Sequence, residues 1–399
     1  MNISALAAAV GLVAASAASA DAKAFSRPSA QTPPIVLHAG GLIDVARGVR
    51  VDDVLVVITG DRITAVGPTR NVTVPPGARR IELGNATLLP GLIDLHVHLT
   101  LAGTAEANAK ATLLAGFTTV QDLGAVNYRN LELRDAIAAG KTAGPRVIAS
   151  GPWIGLSGGI CDFGGIGVRG AAAFRERVEE EVRRGADVIK VCVSGWLADA
   201  RREPTRYEIS DAELQAAIDT AHRLKKRVAV HAISAAGIDA AVRLGADLVV
   251  HAGFVEPGTV ATMRRRKIYL LPTLFSFSRA QPPDDVAALR SHLRGAVNSG
   301  LPIAYGTDAG VIAHGRNARE FEFLQDLGLQ PLEVVRAATI HAAAAVGMTG
   351  RIGVVERGAS ADVIALDGDP LRDLSAFQRV TFVMARGVVI KRTQERHAN

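Results

Sequence analysis

Residues 90–98 read Pro90-Gly91-Leu92-Ile93-Asp94-Leu95-His96-Val97-His98. The run is short and apolar and opens on a Pro-Gly break, which is a buried strand rather than an amphipathic helix. Residues two apart on a strand project from one face, so His96 and His98 aim together. This strand is expected over 88–99, and similar apolar runs recur at 118–123, 146–150, 187–193, 227–232, 247–252, 268–274 and 303–307. Helical stretches separate most of them. One covers 211–224, with Ser210 as its N-cap and Glu213 completing a capping box; 317–327 and 331–346 are similar. Strands alternating with helices in this way predict an α/β fold with a (β/α)8 TIM barrel over 88–349. A doubly wound open sheet would place a glycine-rich phosphate loop after the first strand, and Leu92-Ile93-Asp94-Leu95 carries none.

Outward from the barrel the pattern changes. Short strands are expected at 35–38, 54–59, 63–66 and 80–83, with Gly60-Asp61 as a hairpin turn. The other end repeats the theme at 362–366, 380–385 and 387–391, with Asp367-Gly368-Asp369-Pro370 as a turn. Segments 35–87 and 350–395 therefore predict one small β-domain built from both termini. At the extreme N-terminus a small-apolar run over 5–18 closes on Ala18-Ser19-Ala20 before Asp21, the pattern of a signal peptide spanning 1–20. The expectation is an exported protein, periplasmic or secreted. The first lysine is Lys23, so the leader lacks its usual charged start.

Composition narrows the function classes. With 48% apolar and 21% charged residues the chain is globular, not disordered or fibrous. Beyond the leader no stretch reaches the roughly 18 uncharged apolar residues of a membrane span. The net charge of +6 is thinly spread. Its densest cluster, Arg264-Arg265-Arg266-Lys267, has no interleaved aromatics and reads as a solvated helix end, so no nucleic-acid partner is expected. Two cysteines cannot staple a chain this long, and their spacing is not that of a zinc knuckle.

The chemistry lies where polar residues interrupt apolar strands. His231 ends the fifth strand in Val228-Ala229-Val230-His231, and His251 ends the sixth in Val249-Val250-His251. Asp308 ends the eighth in Tyr305-Gly306-Thr307-Asp308, and Lys190 lies within the fourth in Val188-Ile189-Lys190-Val191. An unpaired charge in such strands is costly. The carboxyl ends of barrel strands open into the mouth where barrel active sites lie. With His96 and His98 these residues predict one cage in which a cation holds converging imidazoles neutral and close.

The chain resembles the amidohydrolase superfamily of metal-dependent hydrolases, in the branch holding imidazolonepropionase-like and Xaa-Pro-dipeptidase-like enzymes. Five phrases carry the likeness: 89–98, Ala115-Gly116-Phe117-Thr118-Thr119-Val120, Ile189-Lys190-Val191, Gly306-Thr307-Asp308-Ala309-Gly310 and Gly358-Ala359-Ser360-Ala361-Asp362-Val363. The resemblance implies the same barrel with a β-sandwich from both termini. It implies that His96, His98 and Asp308 hold one divalent ion and that His231 and His251 hold a second. Lys190 would bridge the two as an N-carboxylated side chain; in a single-metal form Lys190 would only pair with a carboxylate. Zinc is the metal that mostly imidazole donors favour, though a mixed site also takes manganese, cobalt or iron.

The implied reaction is hydrolysis of a C–N amide bond by a metal-activated hydroxide, in a small peptide-like or N-acyl amino acid substrate. Asp308 would carry the proton to the leaving nitrogen. The alternatives are hydrolysis of a cyclic amide, as in imidazolonepropionase, hydrolysis of an ester or lactone, and a non-catalytic metal-binding protein, against which the presence of Asp308 argues. Whether the chain forms a homo-oligomer stays open. Candidate substrate contacts are His314 and Glu320 after the eighth strand, and Arg206 and Tyr207 after the fourth; each set has a structural alternative. His222, on a helix, is structural. Where peptidase-like relatives carry Gly-Gly-His-Gly after the third strand, this chain has Ser157-Gly158-Gly159-Ile160-Cys161-Asp162, an isoleucine in place of an imidazole. Cys161 and Cys192 could pair in an oxidising compartment, but two buried thiols are the expectation.

Overall fold

The computed structural model describes residues 33–393, so the leader expected at 1–20 and the last residues of the C-terminal segment lie outside the described residues. The chain opens with β1 (Ile35–Asp44), β2 (Val49–Thr59), β3 (Arg62–Pro68), β4 (Arg79–Glu82) and β5 (Thr87–Pro90). The first three form antiparallel hairpins, and the β2–β3 turn falls on Gly60-Asp61 as expected, with Gly60 at φ +59°. The first half of β1 pairs parallel with β4 and its second half with β5, so the sheet divides midway along β1. A glycine is required at that division, because a Cβ on Gly40 would lie 2.9 Å from the Asn85 Cα.

The run expected as a single strand over 88–99 breaks at Gly91. Its first part is β5, and its second is β6 (Leu92–Val97). The Gly91 N–H donates to the Asp362 carbonyl, whereas the next N–H, of Leu92, donates to Gly116 in the barrel. The chain thus changes sheets within one residue. Thr118 crosses so closely that a Cβ on Gly91 would lie 2.1 Å from its Oγ1, so only glycine fits there.

Parallel strands then alternate with helices. β6, β7 (Phe117–Asp122) and β8 (Arg146–Ala149) form one ladder. β9 (Val188–Cys192), β10 (Arg227–His231), β11 (Leu248–Val250) and β12 (Tyr269–Leu271) form a second. Single contacts join the two into a ring. Asp187 N donates to the Ala149 carbonyl, and Ile154 bridges to Val191. The eighth position, expected as a strand over 303–307, forms no regular ladder. It is nevertheless bonded on both sides: Ala304 N to Leu270 O at 3.0 Å, and Leu95 N to Tyr305 O at 2.9 Å. The fold is the TIM barrel of the α/β class.

Apolar side chains from several strands, including Ile93, Leu95, Val188, Ala229, Leu248, Leu271 and Ala304, fill part of the interior in one cluster. The helix Asp211–Arg223 starts with the expected capping box between Ser210 and Glu213. The helix expected over 331–346 is continuous but passes through a π-turn at Ala337–His341. The basic run at 264–267 closes the helix Pro257–Arg266, where Arg264 and Arg266 donate to the carbonyls of Ser299 and Val242.

The chain returns to the first sheet through β13 (Val363–Leu366), β14 (Val380–Ala385) and β15 (Val388–Arg392). β13 lies antiparallel to β5, making one hydrogen-bonded path of both termini. Among the described residues no helix is long and apolar enough to cross a membrane.

Candidate metal centre

The site is assembled at the carboxyl ends of the barrel strands. His96, one residue before the end of β6, lies within a slip in the β6–β7 register between Asp94 and Val97, a local irregularity of the kind that re-aims side chains. The rings of His96 and His98 do meet, with their Nε2 atoms 3.2 Å apart. The Asp308 Oδ1 lies 3.5 Å from His96 Nε2 and 3.3 Å from His98 Nε2. One ligand atom from each of the three lies within 4.8 Å of the others. The next ring, His251, has its centroid 4.9 Å from that of His96, and His231 follows at 4.6 Å from His251. All four imidazoles are buried.

Second contacts fix the rings. His98 Nδ1 faces the Gly124 carbonyl at 3.0 Å. A carbonyl only accepts, so Nδ1 carries a proton and Nε2 is the nitrogen turned to Asp308; burial lowers this ring, but Asp308 outweighs it and holds His98 above the usual imidazole value. His251 Nδ1 contacts Thr273 Oγ1 at 2.7 Å. His251, Thr273 and Asp308 all have positive φ, at 71°, 51° and 59°. Left-handed backbone at non-glycine positions costs on the order of 1–3 kcal/mol each and clusters at functional sites.

Three buried polar atoms here have no protein partner: His96 Nδ1, His231 Nε2 and Lys190 Nζ. Burial, with Lys190 and the neighbouring rings, holds His96 well below the usual imidazole value. Burial and neighbouring His231 and Lys190 do the same to His251. His231 is pushed down to about 3, chiefly by burial and Lys190. Burial brings Lys190 down to about 7, against the attraction of Asp308. Neutral imidazoles with free lone pairs, a nearby carboxylate and an orphaned lysine suit a divalent cation better than they suit a dry core. The donor set therefore fits the metal that the sequence pattern implied.

Side chains beyond the six candidates hold the centre. Asp94, fully buried, accepts from His96 N, Thr307 N, Thr307 Oγ1 and Asn317 Nδ2, locking the first and eighth strands together. Burial still raises it to about 6. Asp122 accepts from Leu99 N and Asn130 Nδ2, fixing the backbone just past His98. Ser276 Oγ lies 3.5 Å from Asp308 Oδ2. Trp153 packs on His98 with centroids 5.5 Å apart, and Phe163 packs on Trp153 at 4.9 Å. Asp94 was detectable in the sequence by the same sign as Lys190, a charge inside an apolar strand. Asp122, in the run at 118–123, carried the same sign, whereas Trp153 and Ser276 had no sequence signal, because only the folded chain brings them to the ligands.

The other candidates fall elsewhere. His314 accepts from the Thr112 hydroxyl at Nδ1 and donates from Nε2 to the His98 carbonyl, behind the ligand strand. Glu320 is buried and accepts from Leu274 N and Phe275 N, at the start of the helix Leu274–Ala280. Arg206 is exposed and donates to Glu203, and the Tyr207 hydroxyl donates to Asp211. His222 contacts Asp247 on the outside of the barrel.

The expectation of two free thiols is corrected: Cys161 and Cys192 form a disulfide, with Cα atoms 6.1 Å apart. Their separation in the chain hid this. The loop carrying Cys161 folds back so that Ile154 pairs with β9 on either side of Val191. Asp162 accepts from Gly158 N and Gly167 N, which holds the loop in shape.

This architecture and centre define a class of barrel hydrolases. A model of the amidohydrolase family matches residues 87–390, and the chain belongs to that family. It is similar to ochratoxinase of Aspergillus niger, 30% identical over 76% of this chain and 75% of that protein. Imidazolonepropionase of Symbiobacterium thermophilum is 26% identical, over 90% of this chain and 95% of its own. The crystal structure of a Xaa-Pro dipeptidase with methionine bound in its active site superposes with a TM-score of 0.83. It is 28% identical and covers 89% of this chain and 99% of that one. The chain is thus an enzyme, a hydrolase whose neighbours include both imidazolonepropionase and Xaa-Pro dipeptidase.

Proposed function

We propose that this protein hydrolyses the C–N amide bond of a small peptide-like or N-acyl amino acid substrate, using two divalent ions, of which zinc is the favoured identity. The observation that carries the reading is the convergence of His96, His98 and Asp308 beside a buried lysine amine and imidazole nitrogens with no protein partner. His96, His98 and Asp308 would hold one ion and His231 and His251 the other. Lys190 would bridge them as a carbamate, since burial brings its amine down to about 7, which makes a substantial share of it neutral near pH 7, and a neutral amine is the form that takes up carbon dioxide. Bound there, the ions would acidify a water and polarise the scissile carbonyl.

The chain's own groups do the rest. Asp308 faces the centre with one oxygen, and its other lies near Ser276 Oγ. It can accept a proton at the attacking side and return it to the leaving nitrogen, which an amide requires. His98 and His251 are held by Gly124 and Thr273, so neither ring can turn away from the reacting carbonyl. The relatives named above act on different molecules, as their names state, so the substrate class rests on the peptide-like theme of the dipeptidase and on the amide leaving group.

We further propose export, which the Ala18-Ser19-Ala20 site and the Cys161–Cys192 bond both support, since disulfides persist in oxidising compartments. The decisive experiment pairs metal analysis with a library of dipeptides and N-acyl amino acids, run beside cyclic amides and lactones. A stoichiometry near two ions per chain, lost in Lys190→Ala, with turnover confined to open amides, is the expected result. Turnover of lactones alone would overturn the amide assignment.

A further inference from the structure

Four large apolar side chains are exposed among the described residues: Val49 at 47%, Val126 at 43%, Trp196 at 50% and Val311 at 39%. Val49 lies in the sandwich. The other three belong to loops leaving the carboxyl ends of barrel strands: Val126 after β7, Trp196 after β9 and Val311 after Asp308. Two of them are tied directly to the centre. The edge of Trp196 meets the His231 ring at 6.2 Å and 83°, and the Val311 N–H donates to the Asp308 carbonyl. Three of the four thus fall at the one end of the barrel that carries the centre, and Trp196 is the one whose ring lies against a candidate ligand ring. The described residues leave it half exposed. Trp153, the other tryptophan, is buried in the apolar cluster that contains Cys161 and Cys192.

We propose that Trp196, seated on the His231 ring, forms the subsite that selects a bulky apolar or aromatic side chain in the amide substrate. This rests on the reading of the centre as an amide hydrolase and names the substrate class within it. Trp196 stands at the His231 side of the mouth, so a side chain lying against its indole places the neighbouring amide carbonyl over the histidine cluster. The rim supplies no charge of its own from these three residues. Discrimination therefore comes from apolar burial and ring packing, which separate large from small side chains by about tenfold or more.

The test uses the metal-loaded enzyme with N-acetyl-L-phenylalanine, N-acetyl-L-leucine and N-acetylglycine. The expected kcat/KM is about tenfold or more higher for the two bulky substrates than for glycine. Trp196→Ala should shrink that ratio to about twofold, and Trp196→Phe should restore most of it. A ratio untouched by Trp196→Ala, or an equal loss on all three substrates, overturns the proposal.

A second readout is independent of turnover. The chain has two tryptophans, so the difference in emission between the parent and Trp196→Phe reports Trp196 alone. In an Asp308→Asn background that difference should shift to the blue on adding N-acetyl-L-phenylalanine and not on adding N-acetylglycine. No shift with the aromatic compound sinks the subsite. If the shift occurs but no amide is ever cleaved by the metal-loaded parent, the amide-hydrolase reading fails while the subsite stands.

Discussion

At the scale of single residues, the proposed function gives Asp308 two tasks, holding a metal and moving a proton. Its oxygen sits 3.3 Å and 3.5 Å from the two ligand nitrogens, and its backbone takes a left-handed turn that few aspartates adopt without cause. Asp308→Asn keeps an oxygen for the metal but loses the base. It should lower kcat by about 10²–10⁴-fold with metal content retained, as read by turnover beside metal analysis; near-full turnover with metal in place would refute the assignment. Glu320 offers a different test, because burial raises its carboxyl to about 8 against the two N–H groups it caps. A carboxyl raised on folding favours the native state below its unfolded value of 4.5, and that support is lost as pH climbs to about 8. Wild type should therefore lose up to about 1.4 kcal/mol of stability per pH unit across this window from this group. Glu320→Gln should flatten that part of the slope in denaturation curves taken at several pH values. An unchanged slope would show that the carboxyl stays ionised on its two donors.

At the scale of elements, the short barrel strands are positioned by what lies beside them. The third-strand loop is fastened to β9 by Cys161–Cys192, two residues past Lys190. The enclosed segment spans 31 positions, for which chain entropy gives a stabilisation of about 3–4 kcal/mol. Reductant should shift the denaturation midpoint of wild type downward and leave Cys161→Ser unmoved. Equal response of both would place the effect elsewhere.

The same scale shows what the sequence could and could not convey. Alternation of apolar runs and helices locates seven regular strands and the position of the eighth, because burial of strand residues is a local pattern. It misses the break at Gly91, since the collision that demands glycine comes from Thr118, on the next strand. It misses the disulfide and Trp153 for the same reason: partners distant in sequence leave no period to read.

For the whole molecule, the barrel depends on a sheet that the chain begins and ends. β5 pairs with β13, Gly91 N with the Asp362 carbonyl, and Arg146 with the Asp362 carboxylate at 3.2 Å. The C-terminal strands bury Val363, Ile364, Leu366, Phe382, Val383 and Met384 completely. Removing them would forfeit on the order of 10 kcal/mol of apolar burial, comparable to the whole stability of a domain. Truncation after Gly350 should thus abolish soluble, cooperatively folding protein, assayed by soluble yield and thermal melting. A soluble truncated chain melting like the parent would show that the barrel stands alone.

The sequence by itself determined the barrel, the β-domain of two termini and the identity of the candidate ligands. Each is written in local alternation or in a polar residue that breaks it. Tertiary structure alone decided which lone pairs face one another, which of the late-strand residues support the ligands from behind, and that the two thiols join. Those depend on distances between strands, and a linear pattern holds no such distances.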